Sequence, residues 1–170
     1  CTEIRLYREP RPGAAVVDLG CGLDRLVDEV DNGRALIHNL DFPGVLEARR
    51  AWAEPHERER ELPFSLTDHR WMDEVDPSGG LIAVASGVFY FLESRSVRDL
   101  VSAMARRFPG GRLIYDAESP EMVAMSEQAV RDRGIDAAPM PFRVAGPCAA
   151  HTWSSHVSQI RVNFDLSSYA

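Results

Sequence analysis

Asp18, Gly20, Gly22 and Asp24 fall within "VVDLGCGLD", an apolar run that ends in two glycines one residue apart. Glycine lets a backbone approach a bound molecule closely, and nucleotide-bearing ligands commonly sit on such a turn. The acids discriminate between those ligands. A pyrophosphate site wants the pattern G-x-G-x-x-G. Here Gly22 is followed by Leu23, Asp24 and Arg25, so the third glycine is absent and Asp24 sets a like charge against a pyrophosphate. A ligand with a sulfonium and an ammonium gains from nearby carboxylates instead. S-adenosylmethionine has both and carries no phosphate. Asp41, at the end of the next apolar run, can accept two hydrogen bonds from ribose hydroxyls, although NAD sites share that feature. The competing reading makes Gly20 and Gly22 a tight turn and nothing more. It leaves Asp18, inside an apolar run, without a reason to be charged. The residues therefore point to S-adenosylmethionine, bound by Asp18, Gly20, Gly22 and Asp41.

These residues need strands to hold them. Asp18 apart, residues 14–19 read as a continuous apolar strand, as expected when both sheet faces are covered. A helix is expected over Leu23–Val30, ending at the turn signal Asp31-Asn32-Gly33. "RALIHNLD" is a second strand, and Pro43 starts a helix expected to run through "GVLEARRAWAEPHERERE", with Pro55 kinking or ending it. "LIAVASGVFYFL" supplies a further strand and its outgoing loop. Val97, Leu100, Val101, Met104 and Phe108 have helical spacing up to Pro109-Gly110-Gly111. "GRLIYDA" is a strand, Ser119 caps a helix ending at Gly134, and "HVSQIRVNFDL" is expected as a late strand. The alternation predicts an α/β fold: a doubly wound, mostly parallel, Rossmann-like sheet with helices on both faces. Ligands of such sheets lie beyond the carboxyl ends of the strands. Tyr90, just past the fourth strand, is the best substrate-side candidate, against a reading as a core aromatic beside Phe89 and Phe91.

Composition excludes other classes. The chain of 170 residues has a net charge of −7, and all 19 of its basic residues are Arg. The acidic balance argues against a nucleic-acid partner. The absence of Lys removes Schiff-base chemistry and the P-loop lysine. No apolar stretch approaches the roughly 20 residues of a membrane span, and no secretory signal is visible. Cys1, Cys21 and Cys148 form no disulfide framework, which suits a reducing, cytoplasmic setting. Cys148, His151 and His156 lack the second cysteine pair of a structural zinc site, so no metal is expected. His69 reads as a polar loop residue, and Trp71 and Trp153 as packing residues. Arg49-Arg50 and Arg106-Arg107 read as solvated helix faces. A sequence that opens on Cys1 reads as one domain (1–170) of a longer protein, lacking part of an N-terminal helical cap.

"VVDLGCGLD", "VDNG", "LDFPGVLEARR", "SLTDHRWMDEV", "GVFYFLE" and "FPGGRLIYDAES" occur in this order with short spacings. Together they resemble the leucine carboxyl methyltransferase family, in its bacterial branch of polyketide-type O-methyltransferases. The resemblance implies a class I methyltransferase fold and methyl transfer from S-adenosylmethionine to a carboxylate or hydroxyl oxygen of a small molecule. It implies that Gly20 and Gly22 pack on the methionine portion, that Asp41 holds the ribose, and that Ser65, Leu66 and Asp68 line the adenine. Two departures stand out. The Thr expected after Asp24 is replaced by Arg25, and Ser86 stands where the family carries Glu, near the cationic end of the cofactor. A weakly binding member acting as an interaction module is therefore the alternative, with an NAD enzyme behind it. A carboxylate acceptor is ionised at neutral pH and needs no general base, whereas a phenol would gain from one. No His–carboxylate pair is visible, so no catalytic residue is assigned.

Overall fold

A computed structural model describes residues 2–134, 139–144, 146 and 149–160. A helix α1 (Thr2–Arg8) leads into β1 (Ala15–Leu19), α2 (Leu26–Val30), β2 (Ile37–Leu40) and α3 (Pro43–Trp52). There follow β3 (Glu59–Leu62), β4 (Leu81–Ala85), α4 (Ser94–Arg107), β5 (Arg112–Tyr115) and α5 (Pro120–Asp132). Short 3₁₀ turns occupy His69–Glu74, Phe89–Phe91 and Ala149–Thr152. The strands form one parallel sheet in the order β3-β2-β1-β4-β5. The chain winds outward from β1 through β2 to β3 and then returns to β4 on the other side of β1. In sheets of this kind such a reversal, here between the carboxyl ends of β1 and β4, is where ligands commonly sit.

Both faces of the sheet are covered, as the continuous apolar strands require. On one face Val17, Leu19, Leu40, Ala83 and Ala85 pack with Val97, Leu100, Val101 and Met104 of α4, Trp71 of the first 3₁₀ turn, and Phe89. On the other, Val16, Ile37 and Ile82 pack with Ile4 and Tyr7 of α1 and Leu26, Val27 and Val30 of α2. Trp71 is fully buried, and Trp153 packs on Tyr115 and Phe142 at 6.2 and 6.0 Å, so both tryptophans are packing residues. Ser119 caps α5 by accepting from the Met122 N–H.

Four expectations need correction. Helix α2 begins at Leu26 rather than Leu23, because the Asp24 N–H turns back onto the Cys21 carbonyl. Helix α3 stops at Trp52, and "EREL" (residues 59–62), expected as its continuation, is the edge strand β3. Of the expected late strand, residues 156–160 have no regular structure and the rest lies outside the described residues. Arg49 does not lie on a solvated face. It is buried and pairs with Glu59, while Arg50 beside it is exposed, as expected.

Candidate functional site

The glycine turn is pinned to β2. The N–H groups of Gly20 and Cys21 both donate to the Leu40 carbonyl, at 2.8 and 3.2 Å. Asp41 adds a second fastening: its Oδ2 accepts from the Gly22 N–H at 2.9 Å and its Oδ1 from the Phe42 N–H at 2.7 Å. Gly20 and Gly22 have φ of 71° and 52°, in the left-handed region that disfavours a side chain. The two are bare for different reasons. A Cβ on Gly20 would meet Val88 Cγ2 at 2.6 Å, so that glycine makes room for the segment after β4. A Cβ on Gly22 would meet nothing within 4 Å, so that glycine presents open backbone.

Asp18, in β1 just below the turn, is 6% exposed, and its Oδ2 has no hydrogen-bond partner. Burial pushes its carboxyl up to about 7, and the charge of Asp24 adds to the shift while Arg49 opposes it. Arg49 is committed elsewhere: it donates to the Asp24 carbonyl and, at 2.9 Å, to Glu59 Oε1. Asn39, paired with Asp18 across the sheet, also donates to Glu59 Oε1 at 2.9 Å. Burial alone would raise Glu59, but hydrogen bonds from the His56 N–H, Asn39 and Arg49 hold it below the usual carboxylate range. Cys21 is buried, and burial pushes its thiol up to about 12. A thiol that stays protonated is no nucleophile, so the turn offers backbone at this position.

The other candidates stand past neighbouring strand ends. Ser86, just after β4, is exposed, and the next N–H, that of Gly87, donates to both oxygens of Asp116 at 3.0 and 2.9 Å. In the loop after β3, Leu66 is buried and Ser65 Oγ lies 2.9 Å from Thr67 Oγ1. Asp68 caps the following 3₁₀ turn and pairs with the Arg70 guanidinium at 2.5 Å, which holds its carboxyl down at about 2. Tyr90 is half-buried between a fully buried Phe89 and a Phe91 that is 51% exposed. Phe89, not Tyr90, is the fully buried aromatic of that run, 5.5 Å from Tyr115 and 5.8 Å from Phe142.

Two features of the site escaped the sequence reading. Phe42, directly after Asp41, is 59% exposed and, with Leu23 at 49%, gives the turn an apolar rim. The signal was present: an aromatic between a strand-end acid and a helix-starting proline has no core to join. The Arg49–Glu59–Asn39 network carries no local signal. Of the potential zinc ligands, Cys148 lies outside the described residues, and His151 and His156 are exposed. Among the described residues no three His, Cys, Asp or Glu side chains gather to hold a metal. No helix there is long and apolar enough to cross a membrane. A cavity of about 750 Å³ runs along β5 between Tyr7, Phe108 and Arg112 and contains none of the cofactor or substrate candidates.

Solved structures share this arrangement of strands and helices. The enzyme of "Conversion of a Disulfide Bond into a Thioacetal Group during Echinomycin Biosynthesis" superposes with a TM-score of 0.62 at 20% identity, covering 89% of this chain and 65% of that one. Human N-acetylserotonin methyltransferase in complex with SAM gives 0.59 at 13% identity, covering 89% and 44%. LepI in complex with SAM gives 0.59 at 15%, covering 86% and 37%. The chain has the class I methyltransferase fold. No family model matches the chain. It is 27% identical over 110 residues to TcmP, a tetracenomycin polyketide synthesis O-methyltransferase of Streptomyces glaucescens, a match covering 64% of this chain. The match spans 41% of the length of that curated relative.

Proposed function

We propose that this chain is the cofactor-binding domain of an S-adenosylmethionine-dependent O-methyltransferase acting on a carboxylate or hydroxyl of a small, polyketide-like molecule. The observation that carries the reading is the buried, unpartnered Asp18 beneath an open glycine turn framed by Asp24 and Asp41. Such a frame repels phosphate and suits a ligand bearing an ammonium and a sulfonium. The match to TcmP supports the same reading.

Each residue then has a task. Gly22 and Asp18 meet the methionine end, and Gly20 keeps the turn close to Val88. Each oxygen of Asp41 already accepts one backbone N–H. A carboxylate has about four acceptor positions, so the ribose hydroxyls can share it. The exposed ring of Phe42 offers the adenine a flat apolar face, with Ser65, Leu66 and Asp68 on its other border. Ser86 stands at the cationic end, and Tyr90 faces the acceptor. The cofactor, when bound, supplies a methyl group on a positively charged sulfur. The protein's part is to align the acceptor oxygen and exclude water, and alignment of this kind gives effective molarities of about 10⁵–10⁸ M.

Calorimetric titration with S-adenosylhomocysteine and NAD tests the reading. Binding of the first and not the second is expected. Binding of NAD alone would replace this proposal, and binding of neither would favour an interaction module, the reading that Ser86 in place of a glutamate motivates.

A further inference from the structure

Strand β5 bonds to β4 on one side, and among the described residues no strand lies on its other side. The cavity of about 750 Å³ lies along this strand. Small-molecule sites commonly occupy roughly 300–1,000 Å³ and are mostly apolar, with a few polar groups that converge. The walls here are apolar: Val101 and Met104 of α4, Leu113 and Tyr115 of β5, and Val157. The acid–base balance is one-sided. Arg11, Arg106 and Arg112 line the cavity and no Asp or Glu does, in a chain whose net charge is −7.

The three arginines come from separate elements. Arg112 is the first residue of β5, Arg106 lies in the last turn of α4, and Arg11 precedes β1. They therefore gather at the amino-terminal end of the parallel sheet, opposite the end that carries the glycine turn. Tyr7 holds two of them: the Arg11 and Arg112 guanidinium groups lie 4.9 and 5.1 Å from its ring centroid. Tyr7 is itself fixed, 2% exposed, its hydroxyl donating to the Gly110 carbonyl at 3.1 Å and accepting from the Leu81 N–H at 3.3 Å. Arg106 donates to Ser102 Oγ at 2.7 Å. None of the three pairs with a described carboxylate, whereas Arg107 beside them lies 3.7 Å from Asp73.

We propose that this cavity is a second ligand site, for an anion with an apolar body: a long-chain carboxylate lying along α4 and β5, its head among Arg11, Arg106 and Arg112. A guanidinium presents paired N–H donors that match the two oxygens of a carboxylate. Contact with Tyr7 orients two of these groups before a ligand arrives, which lowers the entropy lost on binding. A cationic head would meet three like charges, and a neutral head would leave them unpaired. The site stands apart from the S-adenosylmethionine reading.

Dodecanoate, dodecanol and dodecyltrimethylammonium share one tail and differ in head charge. Each is titrated calorimetrically into the chain below its micelle concentration. Dodecanoate should bind one to one, dodecanol about tenfold more weakly, and the ammonium not at all. Dodecanoate affinity should fall as salt rises, because the three arginines are exposed. Arg11→Gln combined with Arg112→Gln should weaken dodecanoate about tenfold and leave dodecanol unchanged. The head-group series in wild type stands on its own should that variant fail to fold. In amide exchange, dodecanoate should protect residues 104–115 and leave residues 20–24 as they were. Equal binding of the three heads, protection of the glycine turn, or no binding of dodecanoate overturns the proposal. In the last case, β5 amides on the side away from β4 that are already protected in the free protein would assign the space to the chain's own residues. None of these outcomes bears on the methyltransferase reading.

Discussion

The two faces of the sheet are built from different materials at the same level. Beneath α4, the carboxyl half of the sheet is apolar: Leu19, Leu40 and Ala85 meet Phe89, Leu66 and Trp71 without a charged group. On the opposite face, Asp18, Asn39 and Glu59 form a polar row across β1, β2 and β3, closed by Arg49 from α3. The first face could belong to any α/β protein. The second costs burial energy and is satisfied except at Asp18 Oδ2 and Asn39 Oδ1. Buried polar atoms left open in this way call for an explanation, and the proposed ligand supplies one at Asp18. Both faces carry an apolar core, and on the proposed reading the polar row of the second adds recognition to it.

Substitutions on the two faces should separate in the same way. The largest effect belongs to the apolar face. Phe89→Ala removes a fully buried ring in contact with Tyr115 and Phe142 and should lower unfolding free energy by about 3–5 kcal/mol in urea titration. Next comes Asp18 in the empty protein. Its folded titration point lies above its unfolded one, so the neutral form favours folding, and that contribution is lost as pH rises from about 4 through 7. At about 1.36 kcal/mol per pH unit, three units amount to roughly 4 kcal/mol as an upper bound. Urea titrations between pH 4 and pH 8 should show this slope in wild type and its loss in Asp18→Asn. An equal slope in both would place the titration elsewhere.

Asp41→Ala should act on binding more than on folding. It frees the Gly22 and Phe42 N–H groups and removes the proposed ribose acceptor. Hydrogen bonds to charged groups are worth about 1.5–3 kcal/mol, so S-adenosylhomocysteine affinity should fall at least tenfold. Unchanged affinity would break the link between Asp41 and the ligand. The smallest effect belongs to the exposed Ser86. Ser86→Glu should strengthen binding of S-adenosylmethionine by up to about 1 kcal/mol, and less that of S-adenosylhomocysteine, which lacks the sulfonium. The gain should shrink as salt rises. Weaker binding of both ligands would remove Ser86 from the cationic end.

How legible each part was follows from where its causes lie along the chain. Strand β1 was legible because a strand buried on both faces is apolar throughout. Asp18 was legible because it breaks that rule. Strand β3 was not: an edge strand of Glu and Arg carries neither alternation nor apolar run, and it prolonged the helical pattern ahead of Pro55. Arg49 was misread for the same reason, since its partner Glu59 lies on that hidden strand. Asp41 was visible as a strand-end acid, but its grip on the Gly22 N–H depends on β1 and β2 lying side by side. The need for glycine at position 20 was visible as a motif. Its physical cause, Val88, belongs to a segment far along the chain.

Amide hydrogen exchange with and without S-adenosylhomocysteine tests the placement of the site most directly. New protection is expected over residues 20–24, 41–45 and 65–68. Exchange over residues 104–112, which border the cavity beside β5, should be unchanged. Protection confined to that cavity, with the glycine turn exchanging as before, would contradict it.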